Sequence, residues 1–190
     1  TCALPIFDRL DAVLCDAGIS HAVFHGGLDA TAKHQAVLDF RDRCQVLLAT
    51  EAGGEGHNLQ FCDTLVNFDL PWNPMRIEQR IGRIHRYGQK RTCFIFNLCC
   101  QGSLEERLLR LLGDKIRMFE LVVGEVGSIL GNLEGDDEFE SLILNLWLGA
   151  GDQTALDAAF EQLGDRILAA QGEYQESKRL DEALFGDDYE

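Results

Sequence analysis

Four short apolar runs, separated by helical or polar stretches, most constrain how this chain can fold. They are His21–Phe24, Gln45–Ala49, Thr64–Phe68 and Thr92–Leu98. Apolar side chains also recur at helical spacing over residues 7–17 and 31–40, and an arginine-rich helix is expected before the fourth run. Short apolar strands joined by helices pair in parallel and are buried on both faces. The sequence therefore predicts an α/β fold, with a parallel sheet flanked by helices.

Charge is unevenly distributed along the 190 residues. Residues 131–190 hold 16 acids and 3 bases, a net charge of −13, whereas residues 1–130 hold 16 acids and 14 bases, a net charge of −2. We expect an α/β lobe over 1–130 and an acidic, mostly helical extension over 131–190, with helices near 139–149 and 154–172. Because the lobe is close to neutral, the overall charge of −15 does not exclude nucleic-acid binding.

The seven cysteines are an odd number and include no CxxC pair, so the pattern signals neither a disulfide framework nor a zinc site. They are expected to be buried free thiols in a reducing compartment. No apolar run approaches the roughly 18 residues of a membrane span, and the N-terminal stretch carries acids where a signal peptide carries bases. The sequence therefore predicts a cytoplasmic protein.

The segment Gln79–Gln89, QRIGRIHRYGQ, places Arg80, Arg83 and Arg86 at steps of three. Residues three apart on a helix share one face, so the guanidinium groups of Arg83 and Arg86 are predicted to converge on one anion. Residues 76–91 hold six bases and one acid, which leaves these arginines without carboxylates nearby in sequence. The alternative is an ordinary solvated helix face held by carboxylates.

Two loops between the apolar runs have distinctive compositions. Thr50–Leu59 contains three glycines, which let backbone amides approach a phosphate or sugar; the alternative is a simple turn, and the lysine of a Walker A loop is absent. In Phe68–Pro74, FDLPWNP, two prolines make a rigid loop around Trp72 and Asn73. Trp72 is therefore either a core residue or a wedge against a nucleic-acid backbone.

The order TEAGGEGHNL, FDLPWNP and QRIGRIHRYGQ resembles the second RecA-like lobe of superfamily 2 helicase-like ATPases of the Swi/Snf type. The sequence TEAGGEGHNLQF is most similar to that of the bacterial branch that includes the RNA polymerase recycling ATPase RapA. The resemblance covers roughly residues 1–125. It implies that the chain begins after the first strand of such a lobe, as a fragment or as the product of a split gene.

The resemblance also implies roles for individual residues. Gln79, Arg83 and Arg86 match the motif that reaches ATP phosphates across a cleft between two lobes, with Arg86 as the arginine finger. The other implied nucleotide contacts are Gly54 and Glu55. The implied contacts with the DNA backbone are Gly26 and Gly27 in the turn after His25, then Thr50, Asn58, Trp72 and Asn73. His57 departs from the pattern of the family, which leaves its role open.

The resemblance implies ATP as the cofactor, with Mg²⁺ held mainly by a first lobe. The Walker A lysine, a DEAH-like pair and the adenine-contacting glutamine motif are absent from this sequence, so the chain alone is not expected to hydrolyse ATP. The implied partners are double-stranded DNA, a first RecA-like lobe, and RNA polymerase or another protein. Two alternatives stay open: a non-catalytic module that binds nucleic acid or protein, and an inactive remnant.

Overall fold

The computed structural model of the chain describes residues 3–50, 58–115, 127, 129–130 and 139–185. The chain divides into two compact units. The first unit contains the residues up to Thr64 together with Arg83–Cys93, and the second contains Leu65–Gly82 together with the residues from Phe94 onward. A small parallel sheet flanked by helices confirms the α/β class that the sequence predicts. None of the helices that the structure describes is long and apolar enough to cross a membrane.

In the described part of the first unit the chain forms α1 (Ala3–Asp16), β1 (His21–Phe24), α2 (Ala30–Asp42) and β2 (Val46–Ala49). The two strands pair in parallel, with His21 opposite Val46 and Phe24 opposite Ala49. Phe24 is only 1% exposed and packs with Ala22 and Ala36, the latter on α2. The first two apolar runs thus form the predicted parallel pair, joined by a helix.

A glycine turn ends α1 and directs the chain into β1. Gly18 has a φ of 66°, the left-handed conformation that glycine adopts without steric cost. The N–H of Ile19 donates to the Leu14 carbonyl at 3.0 Å, and the N–H of Gly18 donates to the Cys15 carbonyl at 3.0 Å. These two bonds are those of a Schellman motif, which satisfies the last carbonyls of the helix.

Among the described residues, the strands and helices that lie in the second unit, except for Thr64, are β3 (Thr64–Asn67), α3 (Pro74–Ile81), β4 (Phe94–Asn97), α4 (Leu104–Arg110), α5 (Phe139–Gly149) and α6 (Gln153–Phe185). β3 and β4 form a two-stranded sheet, within the third and fourth predicted runs. α4 continues as a π-helical turn, Leu111–Lys115. The core is formed largely by helices and includes Leu70, Ile77, Leu108, Ile143, Leu163 and Ile167.

The last helix is longer than the sequence predicts. α6 spans 33 residues and continues through Gly172, close to which the sequence predicts its end. Leu163, Ile167 and Ala170 are buried at helical spacing before this glycine. The following residues are mostly exposed and rich in Glu, Gln, Lys and Arg, which favour helix, and they offset a glycine cost of about 1 kcal/mol.

Two glycine substitutions test this account of the helix ends. A Cβ at Gly172 or at Gly18 would meet no heavy atom within 4 Å, but only Gly18 has a positive φ. We therefore expect Gly172→Ala to raise the free energy of unfolding by about 0.5–1 kcal/mol and Gly18→Ala to lower it by about 1 kcal/mol or more. Urea denaturation of both variants measures the difference. Effects of the same sign would show that side-chain space, and not backbone conformation, decides the outcome.

All six cysteines in the described part of the chain are free thiols. Cys15, Cys99 and Cys100 are exposed, so the prediction that the cysteines are buried is wrong for these three.

Candidate functional site

The arginine-rich segment is only partly helical. α3 begins after Asn73, with Pro74 at its first position, and ends at Ile81. Arg83 and Arg86 lie in the turns that follow, so the prediction that they share one face of a helix is wrong. The Arg83 carbonyl accepts a hydrogen bond at 3.0 Å from the N–H of Leu59. In a continuing helix this carbonyl would instead accept from a residue four positions later in the chain.

A β-turn carries the second of these arginines. The N–H of Gln89 donates to the Arg86 carbonyl at 2.9 Å, which closes a four-residue turn. Gly88 occupies the third position with a φ of 93°, the positive value that type II turns require there. Tyr87, at the second position, projects fully into solvent. The turn places Arg86 at an exposed corner of the first unit.

The side chain of Gln89 ties this turn to a neighbouring loop. Its Nε2 donates to the Gln60 carbonyl at 2.9 Å and to the Ile84 carbonyl at 2.9 Å. Its Oε1 accepts from the N–H of Arg91 at 3.1 Å. One half-buried amide thus satisfies two carbonyls and one N–H that would otherwise need water. Gln89 was within the motif that the sequence singled out, but only Gln79 and the arginines were given a role.

A second set of bonds joins the same two loops. The Nε2 of Gln60 donates to the Tyr87 carbonyl at 3.1 Å, and its Oε1 accepts from Asn58 Nδ2 at 3.1 Å. Arg91 forms an ion pair with Asp63 at 3.0 Å and also donates to the carbonyl of Phe61. Asn58, a predicted DNA contact, is thereby connected to the turn that carries Arg86. Sequence reasoning missed Gln60, and a glutamine four residues before a strand carries no local signal of such a role.

Carboxylates distant in sequence neutralise several of the six bases. Arg76 pairs with Glu140 at 3.5 Å. Arg80 donates to Asn67 Oδ1 at 3.1 Å and to the Asp69 carbonyl at 2.8 Å, and its guanidinium lies 3.5 Å from the Asp69 carboxylate. With the Arg91–Asp63 pair, three of the six pair with carboxylates outside residues 76–91, so the interpretation that all six cations are uncompensated is wrong for these three. Arg80 is a structural residue of the second unit.

The remaining residues of the predicted nucleotide motif differ in exposure. Gln79 is exposed on α3, in the second unit, whereas Arg83 and Arg86 belong to the first. Arg83 is half-buried and has an interaction of its own. Arg86 is exposed, and among the described residues its guanidinium has no hydrogen-bond or ion-pair partner. Gly54, Glu55 and His57 lie outside the described residues.

Three predicted DNA contacts lie at the carboxyl edge of the parallel strand pair. The N–H of Thr50, directly after β2, donates to the carbonyl of Phe24 at 3.0 Å, at the end of β1. The exposed Gly26 and Gly27 follow at once, and the N–H of Gly27 donates to His25 Nδ1 at 3.1 Å. The fold therefore brings Gly26, Gly27 and Thr50 together, as parallel strands do at their carboxyl ends.

Trp72 and Asn73 have contacts within the second unit. The Trp72 indole donates to Glu105 Oε1 at 3.1 Å and packs edge to face against Trp147, with ring centroids 6.5 Å apart. Burial raises the pKa of Glu105, whereas the hydrogen bonds from Trp72, from its own N–H and from Ser103 lower it. Together the hydrogen bonds outweigh burial, so the pKa lies below its ordinary value. Asn73 caps α3, because its Oδ1 accepts from the N–H of Met75 at 2.9 Å.

A shallow hollow lies elsewhere in the first unit, between β1 and α2, and is lined by Ala22, Leu28, Ala36 and Asp39 among others. None of the predicted site residues lines it. The candidate site is therefore the pair of loops and the strand edge, and not this hollow.

Residues 4–88 match the helicase conserved C-terminal domain. Over 125 residues, 66% of this chain, the sequence is 52% identical to the uncharacterized ATP-dependent helicase YqhH of Bacillus subtilis. It is 36% identical over 161 residues to the RNA polymerase-associated protein RapA of Vibrio vulnificus, and 40% identical over 175 residues to that of Pseudomonas putida. These alignments cover 80% and 85% of this chain. The chain spans 22% of the length of YqhH and 17% and 18% of the two RapA proteins.

Among solved structures, the fold is similar to the C-terminal part of the Fun30 ATPase domain, with a TM-score of 0.52 and 22% sequence identity. The similarity covers 77% of this chain and 46% of that one. At this identity the likeness supports the fold, the RecA-like architecture expected from the motifs, and leaves chemistry to be argued from the site.

Proposed function

We propose that this chain is the C-terminal motor lobe of an ATP-dependent, helicase-like translocase, because residues 4–88 match the helicase conserved C-terminal domain and the motifs resemble the Swi/Snf-type group. The named relatives are several times longer than this chain. In the proposed arrangement a first lobe supplies the Walker A loop and holds Mg²⁺, ATP binds between the lobes, and this lobe contributes arginines and contacts to duplex DNA.

The observation that carries the proposal is that Arg86 is exposed on a turn whose position is fixed by hydrogen bonds of the Gln89 and Gln60 side chains. An arginine that stabilises a transferring phosphoryl group must be charged, must have no strong partner of its own and must be held in place before the reaction. Arg86 meets the first two conditions by its chemistry and by its surroundings among the described residues. The bonds of Gln89 supply the third. In this proposal Arg83 contacts the same nucleotide as Arg86, and Gln79, Gly54 and Glu55 stay predicted nucleotide contacts.

The DNA contacts in this proposal are made to the backbone and not to bases. Gly26 and Gly27 present exposed backbone next to Thr50, and backbone N–H groups and hydroxyls are common ligands of phosphate oxygens. Asn58 is exposed on the loop that joins the Arg86 turn. Trp72 and Asn73 stay predicted DNA contacts, although Glu105 and Met75 already engage their polar atoms. Contacts of this kind fit tracking along duplex DNA without sequence preference.

A second candidate is a non-catalytic module that binds a protein partner. Pairing of Arg76, Arg80 and Arg91 with carboxylates leaves less free positive charge for DNA than the sequence suggests. The acidic residues 131–190, with a net charge of −13, suit a basic partner. The relatives named RNA polymerase-associated proteins make RNA polymerase the first such partner to test.

The DNA contact is tested by placing a negative charge at the strand edge. We expect Gly26→Glu to weaken binding of the chain to a fluorescently labelled DNA duplex by about tenfold, since the new carboxylate would repel the phosphates. Fluorescence anisotropy measures the affinity over a series of salt concentrations, and binding by the original chain should weaken steeply as salt rises.

Gly151→Glu is the matched control, because Gly151 is exposed and a Cβ there meets no heavy atom within 4 Å. It makes the same change in net charge in the second unit. Equal weakening by both variants, or no salt-dependent binding at all, would contradict the backbone contact and favour the protein-binding module.

A further inference from the structure

Three metal-ligating side chains converge in the first unit, away from the candidate site. Asp11 and Cys15 lie on α1, and His21 is the first residue of β1. One ligand atom from each side chain lies within 4.8 Å of the others. The spacing, Asp-x₃-Cys-x₅-His, contains no CxxC pair, which is why the cysteine pattern alone gave no sign of a zinc site.

Local structure explains the convergence. Asp11 and Cys15 are four residues apart on one helix, so they project from the same face. The Schellman motif at Gly18 then reverses the chain within a few residues, which returns His21 to the side of that face. The cluster is thus built by backbone features that do not depend on a bound ligand.

The imidazole of His21 is held as metal-binding histidines usually are. Its side chain is 9% exposed, and its Nδ1 lies 2.9 Å from the Ile19 carbonyl, to which it donates. A backbone carbonyl on one ring nitrogen fixes the ring and directs the lone pair of the other nitrogen toward a metal. That other nitrogen, Nε2, lies 2.8 Å from Asp11 Oδ1, to which it donates when the imidazole is protonated, and a metal ion bound by both would take the place of that proton.

We propose that Asp11, Cys15 and His21 form a site for a divalent metal ion of the zinc class. Nitrogen, thiolate and carboxylate together are typical ligands of Zn²⁺, whereas Mg²⁺ and Ca²⁺ prefer oxygen alone. A carboxylate and a thiolate balance the two positive charges of the ion, and a water molecule completes the tetrahedron. The ion would join the end of α1 to the start of β1.

The distances require only a small adjustment. Zinc bonds of about 2.0 Å to nitrogen or oxygen and 2.3 Å to sulfur separate tetrahedral ligands by roughly 3.3–3.8 Å. The present separations are within 4.8 Å, and Nε2 and Oδ1, at 2.8 Å, are closer than two zinc ligands. Movements of about an ångström or less, apart for this pair and inward for any longer separation, therefore form the site. Because Cys15 is exposed, its side chain can rotate without disturbing the core.

Cobalt provides the test, because Co²⁺ occupies zinc sites and shows a thiolate-to-metal charge-transfer absorption. The full chain is titrated with Co²⁺ at mildly alkaline pH, since protons compete with the metal for the imidazole and the thiolate. We expect one ion per chain, with the absorption lost when Zn²⁺ is added. In Cys15→Ser the charge-transfer band should disappear and the affinity should fall at least about tenfold.

A double variant, Cys99→Ser with Cys100→Ser, is the control, because these two adjacent thiols are also exposed. It should bind Co²⁺ as the original chain does. Asp11→Asn keeps an acceptor for His21 while removing the charge, and should also weaken binding. The proposal is overturned if the original chain binds no Co²⁺, if Cys15→Ser keeps the band, or if the control loses it. None of these outcomes bears on the proposed motor function, which uses other residues.

Discussion

Replacing Arg86 by Ala in a complete ATPase that carries this lobe is expected to lower kcat for ATP hydrolysis about 10³-fold or more, while DNA affinity changes little. The guanidinium would stabilise charge that develops only as the phosphoryl group is transferred, so its loss raises the barrier without weakening the ground-state complex. Arg86→Lys should remain strongly impaired, because a point charge lacks the paired hydrogen bonds of a guanidinium.

Lys90→Ala is the matched control for this prediction. Lys90 is an exposed cation four residues from Arg86, outside the three pairs described above. Steady-state ATPase assays at saturating DNA compare the variants. Because Arg86 is exposed and has no partner among the described residues, its removal should leave the melting temperature unchanged. Near-normal turnover in Arg86→Ala, or an equal loss in Lys90→Ala, would exclude Arg86 as the arginine finger.

The parts of the fold that could be predicted are those whose signals are local. The apolar runs before Gly26 and Thr50 became β1 and β2, because a buried parallel strand needs a continuous apolar stretch. The α/β class followed from these runs and from the helices between them. The meeting of Gly26, Gly27 and Thr50 then follows from topology, since parallel strands end at the same edge.

The arginine segment could not be predicted because its structure depends on distant residues. Much of its sequence is compatible with a continuing helix, and the donation from Leu59 and the bonds made by Gln60 and Gln89 favour the turns instead. The carboxylate partner of Arg76 is Glu140, which lies 64 residues further along the chain. Counting charges within a window therefore overestimated how much of the positive charge is free.

The loop around Trp72 shows the same limit. Two prolines correctly indicate a rigid turn, but its contacts come from Glu105 on α4 and Trp147 on α5. Neither residue could be paired with Trp72 by spacing or composition. The sequence left open whether Trp72 packs in the core or contacts DNA, and the structure accounts for the indole N–H while the contact with DNA stays a prediction.

Gln89→Leu is expected to have the second largest effect, although Gln89 is not proposed to touch ATP. The substitution leaves two carbonyls and the N–H of Arg91 without their partner. At about 1 kcal/mol for each hydrogen bond, the free energy of unfolding should fall by roughly 2–3 kcal/mol. In the complete ATPase, kcat should fall about 10²-fold, because a displacement of Arg86 by an ångström is costly in a transition state.

Gln89→Glu tests whether the loss of the hydrogen bonds, and not a change in side-chain size, displaces Arg86. Glu has the same length and can still accept from the N–H of Arg91, but it cannot donate to the carbonyls of Gln60 and Ile84. It should therefore be about as defective in kcat as Gln89→Leu. Gln35→Leu is the control, because Gln35 is on α2 and its side chain makes a single exposed hydrogen bond, to Asp39 at 3.1 Å.

The ratio of kinetic constants decides between positioning and general destabilisation. If Gln89 positions Arg86, kcat and kcat/KM for ATP should fall together while KM stays nearly constant, since the lost interaction acts only in the transition state. Combining Gln89→Leu with Arg86→Ala should then lower kcat little further than Arg86→Ala alone, because the two residues act through one group. A loss that disappears at low temperature, or full additivity of the two substitutions, would show that Gln89 stabilises the unit without positioning Arg86.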